Sequence, residues 1–376
     1  MTLAFAPDAS AAAVENDVDI DEDEVPAGNG RRCVTVIFNP VSGQTDPDWR
    51  SRQISEALAR HGYTCQFIAT SEERDAGLLA TEAIRDGVDL LAVSGGDGTV
   101  MAALSALVGT EIPIAILPAG TGNLLSVNLG IPMGVPEAVE VALSGRPYRL
   151  DLARTPEGRF FAVMGGIGLD GRIIEEADRS AKKRLGVLAY FLAAFRNLAN
   201  RPASVLIYLE DRPPIRRRAK SVLIGNMGKM TGGLEALPTA SPNDGLLDIA
   251  ILKPNSLAQW LRLFWFALRG RSQEAPELEV YQARRVRIRA VSPHPIQFDG
   301  EQGGYASELA AAVVPRAVSV LLPEESPAAR DAVGAPAQTA RKAADRRLMV
   351  AGGVLLFMAA AGWLIRAFVG RQRPIG

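Results

Sequence analysis

The residue types best suited to chemistry lie in two glycine-rich loops, Gly95-Gly96-Asp97-Gly98-Thr99 and Pro118-Ala119-Gly120-Thr121-Gly122-Asn123. Each follows a short apolar run, Leu90 to Ser94 before the first and Ile114 to Leu117 before the second. Runs that short, bounded by glycine, read as buried strands. Both loops therefore fall where a strand of an α/β sheet ends, the place where such sheets bind ligands. Glycine lets the backbone approach a phosphate closely, and the N–H groups opening the next helix can hold it. The Asp97 carboxylate would repel a bare phosphate, but it suits a bound cation or a hydroxyl that must lose its proton. The chemistry this combination suggests is phosphoryl transfer.

The elements that must position these loops follow from periodicity. From Cys33 to about Gly145, strand-like runs at 33–38, 64–69, 90–94 and 114–117 alternate with helical patterns at 48–61, 74–86 and 99–108. Such alternation predicts a parallel sheet with crossover helices. From Pro147 onward strands dominate, at 148–153, 160–164, 203–210, 219–225, 246–252, 284–290 and 316–322. Turn signals at Asn243-Asp244-Gly245 and Asp299-Gly300 punctuate them, which predicts a mostly antiparallel β domain. The expected division is an acidic tail over 1–30, an α/β domain carrying both glycine loops over 31–146, a β domain over 147–324, a linker over 325–347 and a transmembrane helix over 348–369. Two apolar helical stretches interrupt the β pattern, Leu185 to Leu198 and Leu257 to Leu268. Each reads either as core packing or as a lipid path or bilayer contact, and Trp260, Phe264, Trp265 and Phe266 favour the second stretch for the latter.

Composition bounds the rest. A chain of 376 residues with 48% apolar content can bury one or two full cores. Its net charge of −1 supplies no global field for nucleic acid, and none is expected as a partner. Basic clusters occur at Arg216 to Arg218 with Lys220, and at Arg284, Arg285, Arg287 and Arg289. The second alternates with Val286 and Ile288, as a half-exposed strand with a charged face would, and attraction to anionic lipids is the alternative. Cys33 and Cys65 fall in predicted strands without metal spacing and are expected as buried, apolar-like thiols. His61 and His294 belong to no recognisable triad and are read as structural or surface residues.

The two termini differ. Glu15, Asp17, Asp19 and Asp21 to Glu24 form an acidic run with no apolar face, so a disordered tail is expected, and no signal-peptide pattern precedes it. Leu348 to Ile365 is an uncharged apolar stretch of 18 residues. At about 1.5 Å per residue it would span roughly 27 Å, close to one hydrocarbon core. Arg346 and Arg347 flank it on one side, Arg366, Arg371 and Arg373 on the other, and Trp363 lies near the far interface. A single C-terminal membrane anchor is predicted, with the phosphoryl-transfer part expected on the cytoplasmic side.

Counting the paired glycine loops as one, five motifs in order resemble the catalytic-domain superfamily of diacylglycerol kinases, sphingosine kinases and related bacterial lipid kinases. Asn39-Pro40-Val41-Ser42-Gly43 is similar to the Asn-Pro-x-Ser-Gly segment after the first strand, and Thr70 to a nucleotide-contacting threonine after the second. Gly95, Gly96, Asp97, Gly98 and Thr99, with Gly120, Thr121, Gly122 and Asn123, match the phosphate loops. Ser241-Pro242-Asn243-Asp244-Gly245-Leu246 resembles a magnesium-associated turn, implying a metal site at Asp244, Ser241 and Leu246; a plain Asn-Asp-Gly turn is the alternative. Phe298-Asp299-Gly300-Glu301 resembles the late motif whose glutamate is the proposed catalytic base. One departure is Leu124, where members commonly carry aspartate.

The resemblance implies a β-sandwich for the second domain and an active site in the cleft between domains. It further implies ATP and Mg2+ as cofactors, a membrane lipid such as a diacylglycerol or sphingoid base as acceptor, Glu301 and Asp97 as catalytic residues, and Asp170 near the lipid head. Assembly into a homodimer is left open. Gly166 to Gly171 also satisfies a dinucleotide G-x-G-x-x-G pattern, but its β-rich context lacks the required βαβ unit. Two further functions compete: a non-catalytic lipid-binding protein on the same fold, and a soluble-metabolite kinase of the NAD kinase type.

Overall fold

The computed structural model describes residues 33–43, 45–168, 202–210, 212–230, 235–326 and 328. The expected acidic tail, Asp170, the 185–198 stretch, most of the linker and the 348–369 segment lie outside the described residues. Among the described residues no helix is long and apolar enough to cross a membrane.

The first half alternates as its pattern requires. Strands β1 (Cys33–Phe38), β2 (Thr64–Ala69), β3 (Leu91–Gly95) and β4 (Pro113–Pro118) pair in parallel in the order β4-β3-β1-β2. Helices α1 (Pro47–Arg60), α2 (Ala76–Arg85) and α3 (Asp97–Leu107) connect them, followed by α4 (Leu124–Leu129) and α5 (Val135–Ser144). Side chains alternate across β1: Val34, Val36 and Phe38 pack with α1 and α5, while Ile37 faces the core shared with α2 and α3. The chain steps from β1 out to β2 and back to β3 on the other side of β1. The connection therefore reverses between β1 and β3, opening a crevice at their carboxyl ends. Asp46 and Asp75 cap α1 and α2 by accepting from Trp49 N and Leu78 N at 2.8 Å, whereas Gly96 gives α3 no side-chain cap.

The second half comprises β5 (Arg146–Arg154), β6 (Phe160–Phe161), β7 (Met164–Ile167), β8 (Ala203–Leu209), β9 (Ile215–Ala219), β10 (Ser221–Gly225), β11 (Leu247–Leu252), β12 (Leu278–Ala283), β13 (Arg285–Phe298) and β14 (Glu301–Leu322), with α6 (Leu257–Leu268) between β11 and β12. Pairing within this half is antiparallel. The first part of β13 pairs β8 and its last part pairs β7, so one long strand serves both layers of the β-sandwich. Ile207, Val286 and Ile288 from one layer meet Val222, Ile224 and Ile249 from the other in a shared core.

Several expectations change in detail. β13 runs on to Phe298 and β14 starts at Glu301, where shorter runs at 284–290 and 316–322 were expected. Register shifts between Arg289 and His294 and between Pro295 and Gln297 accommodate Pro293 and Pro295, as prolines in a strand require. The expected 219–225 strand divides at Lys220, where the chain passes from β9 to β10 and so from one layer to the other. The thiols are not buried: Cys33 opens β1 and is exposed, and Cys65 is half-buried on β2, the outermost parallel strand. α6 seats Leu263 and Ala267 on β10, β11 and β12 and leaves Arg262, Trp265 and Arg269 outside. The charged face expected on β13 is present, with Arg287 and Arg289 paired to Glu308 at 3.5 and 2.7 Å.

Candidate active site

The first wall of the site is backbone held by side chains. After β1 the chain turns through Asn39 to Gly43, and Arg50 of α1, only 3% exposed, clamps this turn from beneath. Its guanidinium donates to Ser42 O at 2.6 Å and Asn39 O at 2.5 Å and stacks over Phe38 at 4.4 Å. Asn39 Nδ2 donates to Thr99 Oγ1 at 2.8 Å, and Gly96 N–H donates to Ser42 Oγ at 3.1 Å, tying the turn to the first glycine loop. Gly43 sits at φ +83°, where a Cβ would also strike Ala119 O. Val41 points outward at 86% exposure, and Pro40 completes the turn. Thr70 is half-buried one residue beyond β2, its N–H donating to Phe38 O at 2.9 Å.

The two glycine loops pack backbone on backbone. A Cβ at Gly120 would lie 2.7 Å from Gly96 Cα, so Gly120 needs hydrogen as its side chain, whereas a Cβ at Gly96 would stand 3.4 Å from Gly120 Cα in ordinary contact. Asn123, at φ 44°, stitches its own loop closed: Oδ1 accepts from Gly120 N at 2.9 Å and Nδ2 donates to Gly120 O at 2.7 Å. Thr121 is exposed and Gly122 half-buried beside Asp97. The Asp97 carboxylate accepts from the N–H groups of Leu124, Leu125 and Asn123, joining the first loop to the start of α4. Burial raises its pKa, these donors oppose the rise, and the Glu301 charge adds to it.

The opposite wall comes from the β-sandwich. Asp299 and Gly300 both have positive φ and form the two-residue connection between β13 and β14, which sets Phe298 opposite Glu301. Asp299 is half-buried, and its carboxylate accepts from Ala162, Val163 and Met164 N–H groups, each at 2.8 Å. Burial outweighs these three donors and pushes its carboxyl up to about 6. Glu301 thereby arrives at the first glycine loop: a Cβ on Gly98 would collide with its Oε1. Arg159 Nη2 donates to Glu301 Oε2 at 3.0 Å, and the guanidinium lies 4.6 Å over the Phe298 ring. Asp97, Gly98, Arg159, Asp299 and Glu301, with apolar Met101, Ala102 and Phe160, line a cavity of about 360 Å³.

The turn at Ser241 to Leu246 is built differently from the glycine loops. Asp244 Oδ1 accepts from Leu246 N at 2.9 Å, and Ser241 Oγ meets Asn243 Oδ1 at 3.1 Å. Buried Asp151 receives Gly245 N at 2.7 Å and Arg316 N at 2.6 Å, so this turn braces β5 against β14. Among the described residues no group of three His, Cys, Asp or Glu side chains is arranged to hold a metal. Gly165 and Gly166 belong to β7, which pairs antiparallel with β10 and β13 and so is not the first strand of a βαβ unit.

Arg159, Arg50 and the bracing role of Asp299 were not legible as functional. Arg159 follows a turn glycine without periodic context, and Arg50 is a lone charge on the buried face of α1 that Ile54, Ala57 and Leu58 otherwise make apolar. Only tertiary contact distinguishes them.

A crevice at a connection reversal, walled by glycine loops on one side and a carboxylate on the other, defines a phosphotransferase. Two family models match the chain: the diacylglycerol kinase catalytic domain over residues 33–155, and the YegS C-terminal NAD kinase beta sandwich-like domain over 164–322. A diacylglycerol kinase of Mycobacterium tuberculosis is 30% identical over 77% of this chain and 95% of its own length. Another from Bacillus subtilis is 28% identical over 72% of this chain and 89% of its own. A crystal structure of a diacylglycerol kinase from Bacillus anthracis superposes with a TM-score of 0.61 at 23% identity, covering 79% of this chain and 99% of that one, and shares the fold. The chain belongs to the diacylglycerol kinase catalytic-domain family and is an ATP-dependent lipid kinase. The non-catalytic and soluble-metabolite alternatives are thereby set aside.

Proposed function

We propose that this kinase phosphorylates diacylglycerol, with residues 31–146 holding ATP, residues 147–324 presenting the acceptor, and Glu301 as general base. The observation that carries the reading is Glu301 standing against Gly98 at the uncapped start of α3, inside a cavity with apolar Met101, Ala102 and Phe160 on its wall. Unpaired N–H groups at a helix start receive phosphate oxygens, and apolar neighbours suit the root of an acyl chain. The lipid hydroxyl would give its proton to Glu301 as its oxygen bonds the γ-phosphorus and the bond to ADP breaks. Asn39 to Gly43, Thr70, Gly95 to Thr99 and Gly120 to Asn123 would shape the nucleotide side, with Asp97 fixing one glycine loop to the other.

Asp97, Asp299 and Glu301 bring three carboxylates to one cavity against a single Arg159, and that excess of negative charge fits a divalent cation. Mg2+ carried in with ATP would neutralise phosphate charge, and Asp97 is the carboxylate proposed to help hold it. Asp244, with Ser241 and Leu246, is proposed as a second, supportive cation site, and Asp170 as a contact to the acceptor head. The 348–369 segment is proposed as a bilayer anchor that keeps the catalytic part at the cytoplasmic surface.

Transfer of labelled γ-phosphate to lipid in mixed micelles tests this, offering diacylglycerol, sphingosine, ceramide and phosphatidylglycerol in parallel. Label on diacylglycerol, reduced about 10²–10⁴-fold by Glu301→Gln, is expected. Label on another lipid alone would overturn the choice of acceptor, and full activity in the variant would overturn the role of Glu301.

A further inference from the structure

The cavity between the two lobes has an uneven charge inventory. Three carboxylates line it, from Asp97, Asp299 and Glu301, and Arg159 is the one cation among the described residues of its wall. A nucleotide brings several further negative charges into that space, and the chain has no phosphate-loop lysine to meet them. The Arg159 guanidinium is engaged by Glu301 at 3.0 Å, the carboxylate that must be free to accept a proton during transfer. Neither partner is locked in place, since their side chains are 41% and 56% exposed. Arg159 also rests on the Phe298 face at 4.6 Å, a contact that lets a guanidinium pivot without losing its support.

We propose that Arg159 is a catalytic cation that exchanges partners: it holds Glu301 while the site is empty and turns to the γ-phosphoryl group of ATP when both substrates are bound. A phosphoryl dianion carries more charge than a carboxylate and offers the planar fork two oxygens, so it competes well for the guanidinium. The exchange uncovers Glu301 only when a phosphoryl group is present to be transferred. As the lipid oxygen bonds phosphorus, its proton passes to Glu301, the electron pair of the breaking P–O bond leaves with ADP, and Arg159 stays protonated beside the equatorial oxygens. The inference rests on the kinase reading with Glu301 as base, and adds a group that touches the reacting phosphorus.

The discriminating measurement compares binding of a non-hydrolysable ATP analogue and of ADP by calorimetry on the full chain in detergent, for wild type, Arg159→Gln, Arg159→Lys and Glu301→Gln. Arg159→Gln is expected to weaken the ATP analogue about tenfold while leaving ADP unchanged, because only the former carries a γ-phosphoryl. Arg159→Lys should recover part of the difference, since it retains charge without the fork. Glu301→Gln should bind the analogue as tightly as wild type or more so, its arginine being already released. In turnover, Arg159→Gln should lower kcat with little change in the lipid KM. Equal losses for ATP analogue and ADP would mean a merely structural arginine, and unchanged binding and kcat would overturn the proposal outright. A wild type that transfers phosphate to no lipid would sink the acceptor assignment and leave the binding comparison readable by itself.

Discussion

At the scale of single residues, the site depends on carboxylates whose surroundings differ. Asp299 is half-buried with three N–H donors, and its pKa, raised by desolvation to about 6, lies above the ordinary aspartate value of 3.8. The folded chain therefore binds more protons than the unfolded chain between these values, and this residue's contribution to stability falls as pH rises through that window. The change amounts to about 3 kcal/mol at most, from about 1.4 kcal/mol per pH unit. Urea unfolding at pH 4 and pH 7 should show the stability difference between wild type and Asp299→Asn moving against wild type at the higher pH. A constant difference would count against the raised pKa. Gly98 is a second lever: Gly98→Ala places its methyl on Glu301 Oε1, a flexible side-chain end. Unfolding free energy should change little while kcat falls about 10²-fold, since displacing a reacting group by about 1 Å has that effect.

At the scale of elements, the close approach of the two glycine loops sets the shape of the nucleotide side. Gly120→Ala meets Gly96 Cα, which is backbone and cannot swing away. A loss of about 1–3 kcal/mol in stability is expected, as for other overpacked sites, together with loss of ATP binding. Wild-type nucleotide affinity in that variant would show that the loops can separate without consequence. Much at this level was readable in the chain. Asp-Gly between two strand runs specified the tight connection that delivers Glu301, and the apolar-run-then-glycine pattern located both phosphate loops. The full lengths of β13 and β14 were not readable, because Pro293, Pro295, Gly303 and Gly304 break the alternation that marks a strand. Bulges absorb those residues, and only pairing with β7, β8 and β5 reveals them as strand.

At the scale of the molecule, β14 is the tie between lobes. It begins at Glu301, pairs β13 and β5, and ends beside β4 in parallel, so one strand connects the base to the nucleotide sheet. Buried Asp151 secures its bend by accepting the N–H of Arg316, which sits at φ 51°. Asp151→Ala would strand that N–H and the N–H of Gly245, at a cost of about 2–5 kcal/mol. Chemical denaturation would measure it, and a change below about 0.5 kcal/mol would mean the brace is dispensable. The proposed anchor is tested by ending the chain after Ala328, which keeps the buried Ser326 contact to Leu129 O at 2.6 Å. The shortened protein should leave sedimented vesicles yet still phosphorylate a short-chain diacylglycerol in solution. Undiminished vesicle binding would rule out the 348–369 segment as the main attachment.

The order of strand, loop and helix, the position of each glycine loop and the nature of the late Asp-Gly-Glu hairpin were determined by the sequence itself, because each depends on neighbours within a few residues. Hydrophobic period, turn preference and glycine spacing are local properties. The tertiary structure decided which of these local pieces face one another. Arg159 meets Glu301 across 142 residues, and Asp299 meets Val163 across 136. No local pattern encodes such pairs; they arise when β13 and β14 carry the sandwich against α3, and burial then sets the charge balance in which the chemistry takes place.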